Sequence, residues 1–351
     1  MSGLSTPILV AVFLLASAAT WIAGMSLSST TDELDNRLGL GAALGGMILL
    51  AIAGSLPEIA ITVTAAGQGH LGLAAGNLIG GIAIQTLVLV VCDAAASREQ
   101  PLTFLVGSLV PVVEGLVVVF VVGEVLLGAL LPASYAIGPL SPASIAIVVT
   151  WLGLLWVSNH VQRNPRWEVV VPGARPGRPD RSVREDQHPA RHAGRPLAVV
   201  AGIFAAGCVV TLVGGVVLET GGNVLADRAG VNGVIFGATV LALATALPEL
   251  SSGIAAVRVG DHQLATGDIF GGNAFQVCLF LVADLVAGRP VLPTAGILNS
   301  WLGGLAIVLT VIYLIGMILR PKRCLLRLGM DSILVVIVFV LGLIGLTALP
   351  M

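Results

Sequence analysis

Apolar positions in this chain neither alternate nor fall on a single helical stripe. They run together in long blocks broken by short polar or glycine-rich punctuation. A helix needs about 20 apolar residues to cross the hydrocarbon of a bilayer, and blocks of that order lie at 7–26, 39–65, 72–96, 102–124 and 141–159. Five more follow at 196–217, 231–257, 263–287, 296–319 and 329–349. The pattern predicts an all-α polytopic membrane protein of ten transmembrane helices, five in each half. Turns such as Gly67-Gln68-Gly69-His70 and Gly260-Asp261-His262 separate neighbouring blocks. The first block has a second reading as a secretory signal, since Ala16-Ser17-Ala18-Ala19 offers small residues near its end; against it, Met1–Thr6 carries no side-chain cation.

The blocks repeat. Ala51-Ile52-Ala53-Gly54-Ser55-Leu56-Pro57-Glu58 recurs as Ala242-Leu243-Ala244-Thr245-Ala246-Leu247-Pro248-Glu249, a shift of 191 residues. The register continues without a gap: Gly76-Asn77 meets Gly267-Asp268, Gln85 meets Gln276 and Asp93 meets Asp284, with 16 of the 43 positions from Ala51 to Asp93 identical. Two halves therefore share one ancestor, residues 1–159 with repeat 1 at about 39–96, and 196–351 with repeat 2 at about 231–287.

Charge orients the halves. Between them, residues 160–195 form a solvated linker of quite different composition, and the stretch from Asn159 to Pro196 holds eight of the 17 Lys and Arg residues. Its acidic residues are interspersed and no aromatic series accompanies the arginines, which argues for a tether rather than a nucleic-acid patch. An Arg-rich short loop stays cytoplasmic, so five preceding spans place both termini outside. The next basic cluster, Arg320, Lys322, Arg323 and Arg327, then also falls inside. An odd number of spans between corresponding helices makes the two five-helix repeats inverted. With 56% hydrophobic and 10% charged residues, the chain reads as a multi-pass protein of the cell (cytoplasmic) membrane; arginine in place of lysine points to a bacterial genome. The lipid bilayer is its one implied macroscopic partner, with no obligate protein partner or nucleic acid evident. Cys92, Cys208, Cys278 and Cys324 lack metal-ligand spacing and read as packing residues.

A carboxylate inside a span costs roughly 2.5–3.5 kcal/mol on insertion scales, and here one follows proline in both repeats. Repeated halves whose apolar helices are interrupted by Pro and Gly at matching positions point to a transport site near the midplane. If the halves pack together, Glu58, Glu249 and Asp268 meet the Asn77 amide in one polar cluster. Such oxygens suit a hard cation, calcium above all, and the acids cannot all ionise without cations or protons nearby. Pro57 and Pro248 remove backbone donors. The carbonyls of Ala51 and Ala242, the Ser55 and Thr245 hydroxyls and the Asn273 amide are secondary candidates. Taken alone, Gly76xxxGly80 and Gly267xxxGly271 are more often packing surfaces, and a single buried Glu can serve structure only. Glu114, Asp93 and Asp284 read as interfacial, capping or packing groups, and His70 and His262 as exposed turn residues.

Leu56-Pro57-Glu58 with Gly76-Asn77, and Leu247-Pro248-Glu249 with Gly267-Asp268, resemble the two α-repeats of the cation/calcium exchanger superfamily, specifically the sodium/calcium exchangers. The resemblance covers the repeat cores and implies that Glu58 and Glu249 bind the transported cations, with Asn77 and Asp268 completing the site. The departures bear on the coupling ion. The usual Thr-Ser pair before proline is Gly54-Ser55 and Thr245-Ala246, the GSN triplet is Gly80-Gly81-Ile82 and Gly271-Gly272-Asn273, and the closing Asn is Gln85 and Gln276. Sodium sites rely on such neutral oxygens.

These readings converge on a secondary antiporter that exchanges calcium for sodium by alternating access, with no cofactor beyond the transported Ca2+ and Na+ or H+. Proton-coupled exchange of calcium or another divalent ion is the nearest alternative. A passive channel would sooner show a filter loop in a symmetric oligomer, and no nucleophile motif or zinc spacing supports an enzyme.

Overall fold

The computed structural model describes residues 1–38, 51–96, 99–163 and 195–349. The first half comprises α1 (Thr6–Leu38), α2 (Leu56–Gln68), α3 (Leu71–Ala96), the short α4 (Leu102–Leu105), α5 (Val110–Ala129) and α6 (Pro142–Arg163). The second comprises α7 (Leu197–Ala229), α8 (Gly233–Thr245), α9 (Leu247–Arg258), α10 (His262–Ala287), α11 (Gly296–Leu319) and α12 (Met330–Ala348). A small hairpin, β1 (Cys324–Leu325) with β2 (Leu328–Gly329), precedes α12.

The 191-residue register seen in the sequence is carried into the helix limits: α1 and α7, and α3 and α10, begin and end at positions related by that shift. Seven helices are long and apolar enough to span a bilayer, eight if the bent pair α8–α9 is one span, and Pro142–Ser158 is a shorter apolar helix. The expected span 39–65 lies partly outside the described residues, and so does most of the linker. The helices of the first and sixth spans run further than the apolar blocks imply, to Leu38 and Ala229 rather than 26 and 217.

Local chemistry sets the breaks. Proline tolerates the first turn of a helix but removes an amide donor within one, and α2 and α9 each start just ahead of a proline. The chain bends by 46° between α8 and α9. Residues Gly237–Leu241 of α8 form a π-helical turn, a geometry frequent at functional sites. Gly69, in the left-handed conformation at φ 81°, ends α2.

α3 and α10 form the centre, with 78% and 67% of their most apolar windows buried against 28% and 22% in α1 and α7. α1 and α7 lie antiparallel: Arg37 at the end of α1 donates to the Arg195 carbonyl (2.8 Å), and Arg228 near the end of α7 donates to Thr6 (3.1 Å) and the Ser2 carbonyl (2.8 Å). Each also leans on the proline turn of the other half. A Cβ on Gly24 would lie 2.7 Å from the Pro248 ring, and one on its counterpart Gly215 would lie 3.0 Å from the Pro57 carbonyl and 2.5 Å from Ala60. Gly76 and Gly80 close α3 onto α8, where a Cβ would collide with the Val234 carbonyl and the Ala238 side chain. That glycine pair is a packing surface.

Asp93 and Asp284 are tie points between halves. Asp93 accepts from the amides of Leu102 (2.6 Å) and Gly329 (2.7 Å) and from the Ser332 hydroxyl (2.6 Å), so it holds the start of α12. Asp284 accepts from the amides of Val291 (2.7 Å) and Ser141 (2.9 Å), which holds the start of α6. Capping, one of the roles open to them in sequence, is the one they take.

Candidate cation site

The helix break places the acids. Glu58 sits in the first turn of α2, 1% exposed, and neither carboxylate oxygen has a hydrogen-bond partner among the described residues. Glu249 occupies the equivalent turn of α9 within electrostatic reach of both Glu58 and Asp268, and its Oε2 is likewise unpartnered. A buried polar atom without a partner loses its water and gains nothing in return. Glu58 and Glu249 repel one another electrostatically and so bear that cost together, and a cation between them removes it.

Neutral oxygens surround this pair. Thr245 lies beside Glu58 and gives its proton to the Ala242 carbonyl (3.2 Å), which leaves its lone pairs unused. Ser55 is buried at the matching break. The Ala51 and Ala242 carbonyls keep helical bonds from the Ser55 amide (3.1 Å) and the Ala246 amide (3.0 Å); Ala51 has its second lone pair to offer, whereas that of Ala242 already takes the Thr245 hydroxyl. Asn77 and Asn273 are fully buried on α3 and α10, and both polar atoms of each side-chain amide lack partners among the described residues. On α10, Asp268 lies 3.0 Å from the Ser252 hydroxyl of α9, whose single proton has the Glu249 carbonyl (3.2 Å) as its alternative acceptor.

The acids thus form a chain, with Glu249 interacting with both Glu58 and Asp268, and Asp268 in turn with Glu114. Among the described residues no three His, Cys, Asp or Glu side chains converge on a single ion position. Glu58 pairs with Glu249. Asp268 is in electrostatic contact with Glu114 of α5, whose Oε2 would lie 2.9 Å from a Cβ on Gly267 and is itself buried without a partner. Sequence reading leaves Glu114 among interfacial or packing groups; the packing of α5 on α10 brings it to the acids.

Where the halves cross, Gln85 and Gln276 meet side chain to side chain (3.3 Å). The Gln276 amide also donates to the Asn77 (3.2 Å) and Leu78 (2.9 Å) carbonyls. It fills the space beside Gly81, where a Cβ would run into its Nε2. A serine at 81 has no room while that amide stays. The missing hydroxyl therefore has a steric counterpart.

The sequence as a whole matches the sodium/calcium exchanger protein family over residues 8–159 and 199–348. The chain belongs to that family. Its two matched segments are the two halves, separated by the linker. Among curated relatives, the inner membrane protein YrbG of Escherichia coli (strain K12) is 27% identical over 273 residues, which is 75% of this chain and 73% of that protein. Among solved structures, the H+/Ca2+ exchanger CAX superposes with a TM-score of 0.64 at 16% identity, covering 97% of this chain and 88% of that one. The sodium-calcium exchanger NCX_Mj gives 0.60 at 16% identity, covering 99% and 100%. The fold is thus shared with exchangers coupled to either ion. This family member is a multi-pass membrane antiporter and not an enzyme.

Proposed function

We propose that the protein is a secondary antiporter that exchanges calcium for sodium by alternating access, with Glu58 and Glu249 as the central cation ligands. Asn77 and Asp268 complete the site, and Ser55, Thr245, Asn273 and the Ala51 carbonyl supply neutral oxygens, with the Ala242 carbonyl joining them when the Thr245 hydroxyl turns away from it. The observation that carries the reading is the buried Glu58 carboxylate beside the half-buried Glu249, contributed by equivalent turns of the two halves, with three of their four oxygens buried and unpartnered among the described residues. A divalent ion neutralises both charges at once, whereas its release requires two monovalent ions or protons. That is the electrostatic basis of exchange.

In this reading ten spans form two inverted five-helix repeats. The described helices, the bent pair, the shorter helix and the segment 39–65 supply the ten. The antiparallel course of α1 and α7 supports the inversion. The arginine-rich linker faces the cytoplasm and both termini face outward.

One observation favours protons as the coupling ion. The Gln276 amide occupies the space beside Gly81 where a sodium-binding hydroxyl would stand. The deciding experiment is calcium-45 uptake into proteoliposomes under a sodium gradient alone and under a pH gradient alone. Uptake driven by sodium with no response to pH establishes sodium exchange, and the converse establishes proton exchange. No uptake under either gradient overturns the antiporter reading.

A further inference from the structure

The basic cluster around Arg320 orients the halves but takes no part in the cation site. It links α11, which ends at Leu319, to α12, which starts at Met330, and both helices are long and apolar enough to span a bilayer. The linking segment therefore sits at the membrane surface. It folds as the hairpin of β1 and β2, in which Leu325 pairs with Leu328 across a two-residue loop, Leu326 and Arg327. Both loop residues have positive φ, 55° and 70°. Asn-Gly makes such a loop without strain, whereas a bulky side chain in the left-handed region is costly. Strain of this kind clusters at functional positions.

The base and the tip of the hairpin meet different surroundings. At the base, the Gly329 amide (2.7 Å) and the Ser332 hydroxyl (2.6 Å) bond Asp93 of α3, while Arg320 donates to the Phe104 carbonyl and lies 5.0 Å from the centre of that ring. At the tip, Leu326 is 88% exposed, and Leu325 and Met330 are exposed beside it. Arg323 and Arg327 are exposed too, and their guanidinium groups make no hydrogen bond or ion pair among the described residues. Lys322, also exposed, lies over the Phe104 ring at 5.7 Å. Residues 320–329 contain four cations and no acid, and the adjoining acids, Asp93 and Asp331, are buried.

We propose that the hairpin tip anchors the protein to the anionic phospholipid surface of its own bilayer. Leu325, Leu326 and Met330 enter the apolar edge of the leaflet, and Lys322, Arg323 and Arg327 pair with headgroup phosphates. The length of the hairpin suits this. A two-residue strand covers about 7 Å, close to the roughly 5–7 Å of headgroup on each side of the hydrocarbon, so the tip stays at headgroup level. Apolar side chains set among cations fit that boundary, and an anionic leaflet attracts the cations within about a Debye length. The 160–195 linker is a poor occupant, because its eight arginines outweigh four acids and it carries the same sign. A second copy of the hairpin would bring the same charges again. Through Gly329 and Ser332 the hold of the leaflet reaches Asp93, and so the central helix α3.

The test uses the full-length protein in vesicles of phosphatidylcholine alone or with about one-third phosphatidylglycerol. In L325W, the fluorescence added over wild type should be quenched by acyl-brominated lipid, about two-fold more when phosphatidylglycerol is present. Phosphatidylglycerol should raise the Tm of wild type by several degrees, less at high salt, and R323Q/R327Q should lose most of that rise. L326N separates anchoring from folding, since Asn suits a left-handed loop position. In neutral detergent L326N should be at least as stable as wild type, yet it should gain less from phosphatidylglycerol. Unquenched L325W fluorescence, or a full wild-type rise in R323Q/R327Q, overturns the anchor. If L325W does not fold, R323Q/R327Q and L326N decide alone. A rise that inorganic phosphate reproduces in neutral vesicles assigns the cations to a free anion, and self-association that L326N abolishes assigns the tip to a second copy; either result also overturns the anchor. No readout involves ion flux, so the outcome is independent of the antiporter reading.

Discussion

The two halves are built on one register yet end up chemically unequal, and the inequality is concentrated where ions would pass. Both place a glutamate after proline, both send an aspartate from the end of a central helix to hold the other half, and both lay a glycine against the other's proline turn. Asn77, however, answers to Asp268, His70 to Asp261, and Glu114 in the first half to Leu305 in the second. Scaffold residues, the two glutamates and the two capping aspartates are thus duplicated, whereas the further charged positions around them are not. An exchanger needs equivalent halves to rock between two states, but it needs unequal mouths if the two faces offer ions at different concentrations.

The comparison breaks first at its symmetric part. Glu58→Gln and Glu249→Gln should each lower calcium exchange by at least about 100-fold, equivalent to about 2.8 kcal/mol at 1.4 kcal/mol per decade. Both should insert and melt like wild type, because an unpartnered buried carboxylate is a burden on the fold. Flux assays beside thermal unfolding of the purified proteins check this. A near-wild-type rate in either variant removes the central site.

Its asymmetric part should matter less. Asp268→Asn makes the halves alike at this position. Since the Coulomb energy scales with ionic charge, a loss of about ten-fold for calcium should accompany about three-fold for a monovalent ion. Competition titrations read both, and equal losses would place Asp268 outside the ion's reach. Glu114→Gln should weaken calcium by about three-fold, and its effect should shrink once Asp268 is already Asn, because neighbouring charges couple in double-mutant cycles. Strict additivity would separate Glu114 from the acid group.

What was legible in sequence divides along the same line. The 191-residue register, the Pro-Glu breaks and the arginine-rich divide are local or periodic signals, and they delivered the limits of α3 and α10 and the starts, though not the ends, of α1 and α7. Contacts between distant helices left little trace. Glu114 falls in an unremarkable apolar helix, and only the packing of α5 on Gly267 gives it a role. Glu219 lies two residues past the expected end of its span, so its burial depended on how far α7 runs. A lone acid within a long apolar stretch was the available signal there. Of the carbonyls that the two prolines are expected to free, those of Ala53, Gly54, Ala244 and Thr245 or, one turn earlier, Ala51 and Ala242, the earlier pair keep helical donors in the Ser55 and Ala246 amides. A missing amide at position 57 or 248 deprives the carbonyl four residues before it, at Ala53 or Ala244.

The smallest expected effect is also the sharpest test of unequal halves, at Gly81 and its counterpart Gly272. A Cβ at 81 would strike the Gln276 amide, whereas the atom nearest a Cβ at 272 is Gln85 Oε1 at 4.0 Å. Gly272→Ser should therefore fold normally and add a hydroxyl among the interior oxygens. Hydroxyls suit sodium more than they change the carboxylate attraction for calcium, so the apparent sodium affinity should improve by about two- to three-fold, roughly 0.5 kcal/mol or the lower end of a net hydrogen bond, with calcium KM unchanged. Gly81→Ser should destabilise the protein by about 1–3 kcal/mol, the usual cost of overpacking. Shortening the obstruction with Gln276→Asn should recover most of that loss. Sodium-dependent calcium flux and thermal unfolding of the four proteins distinguish the cases. If Gly81→Ser and Gly272→Ser behave alike, the Gln276 amide does not separate the two halves at their crossing, and the steric case for proton coupling falls with it.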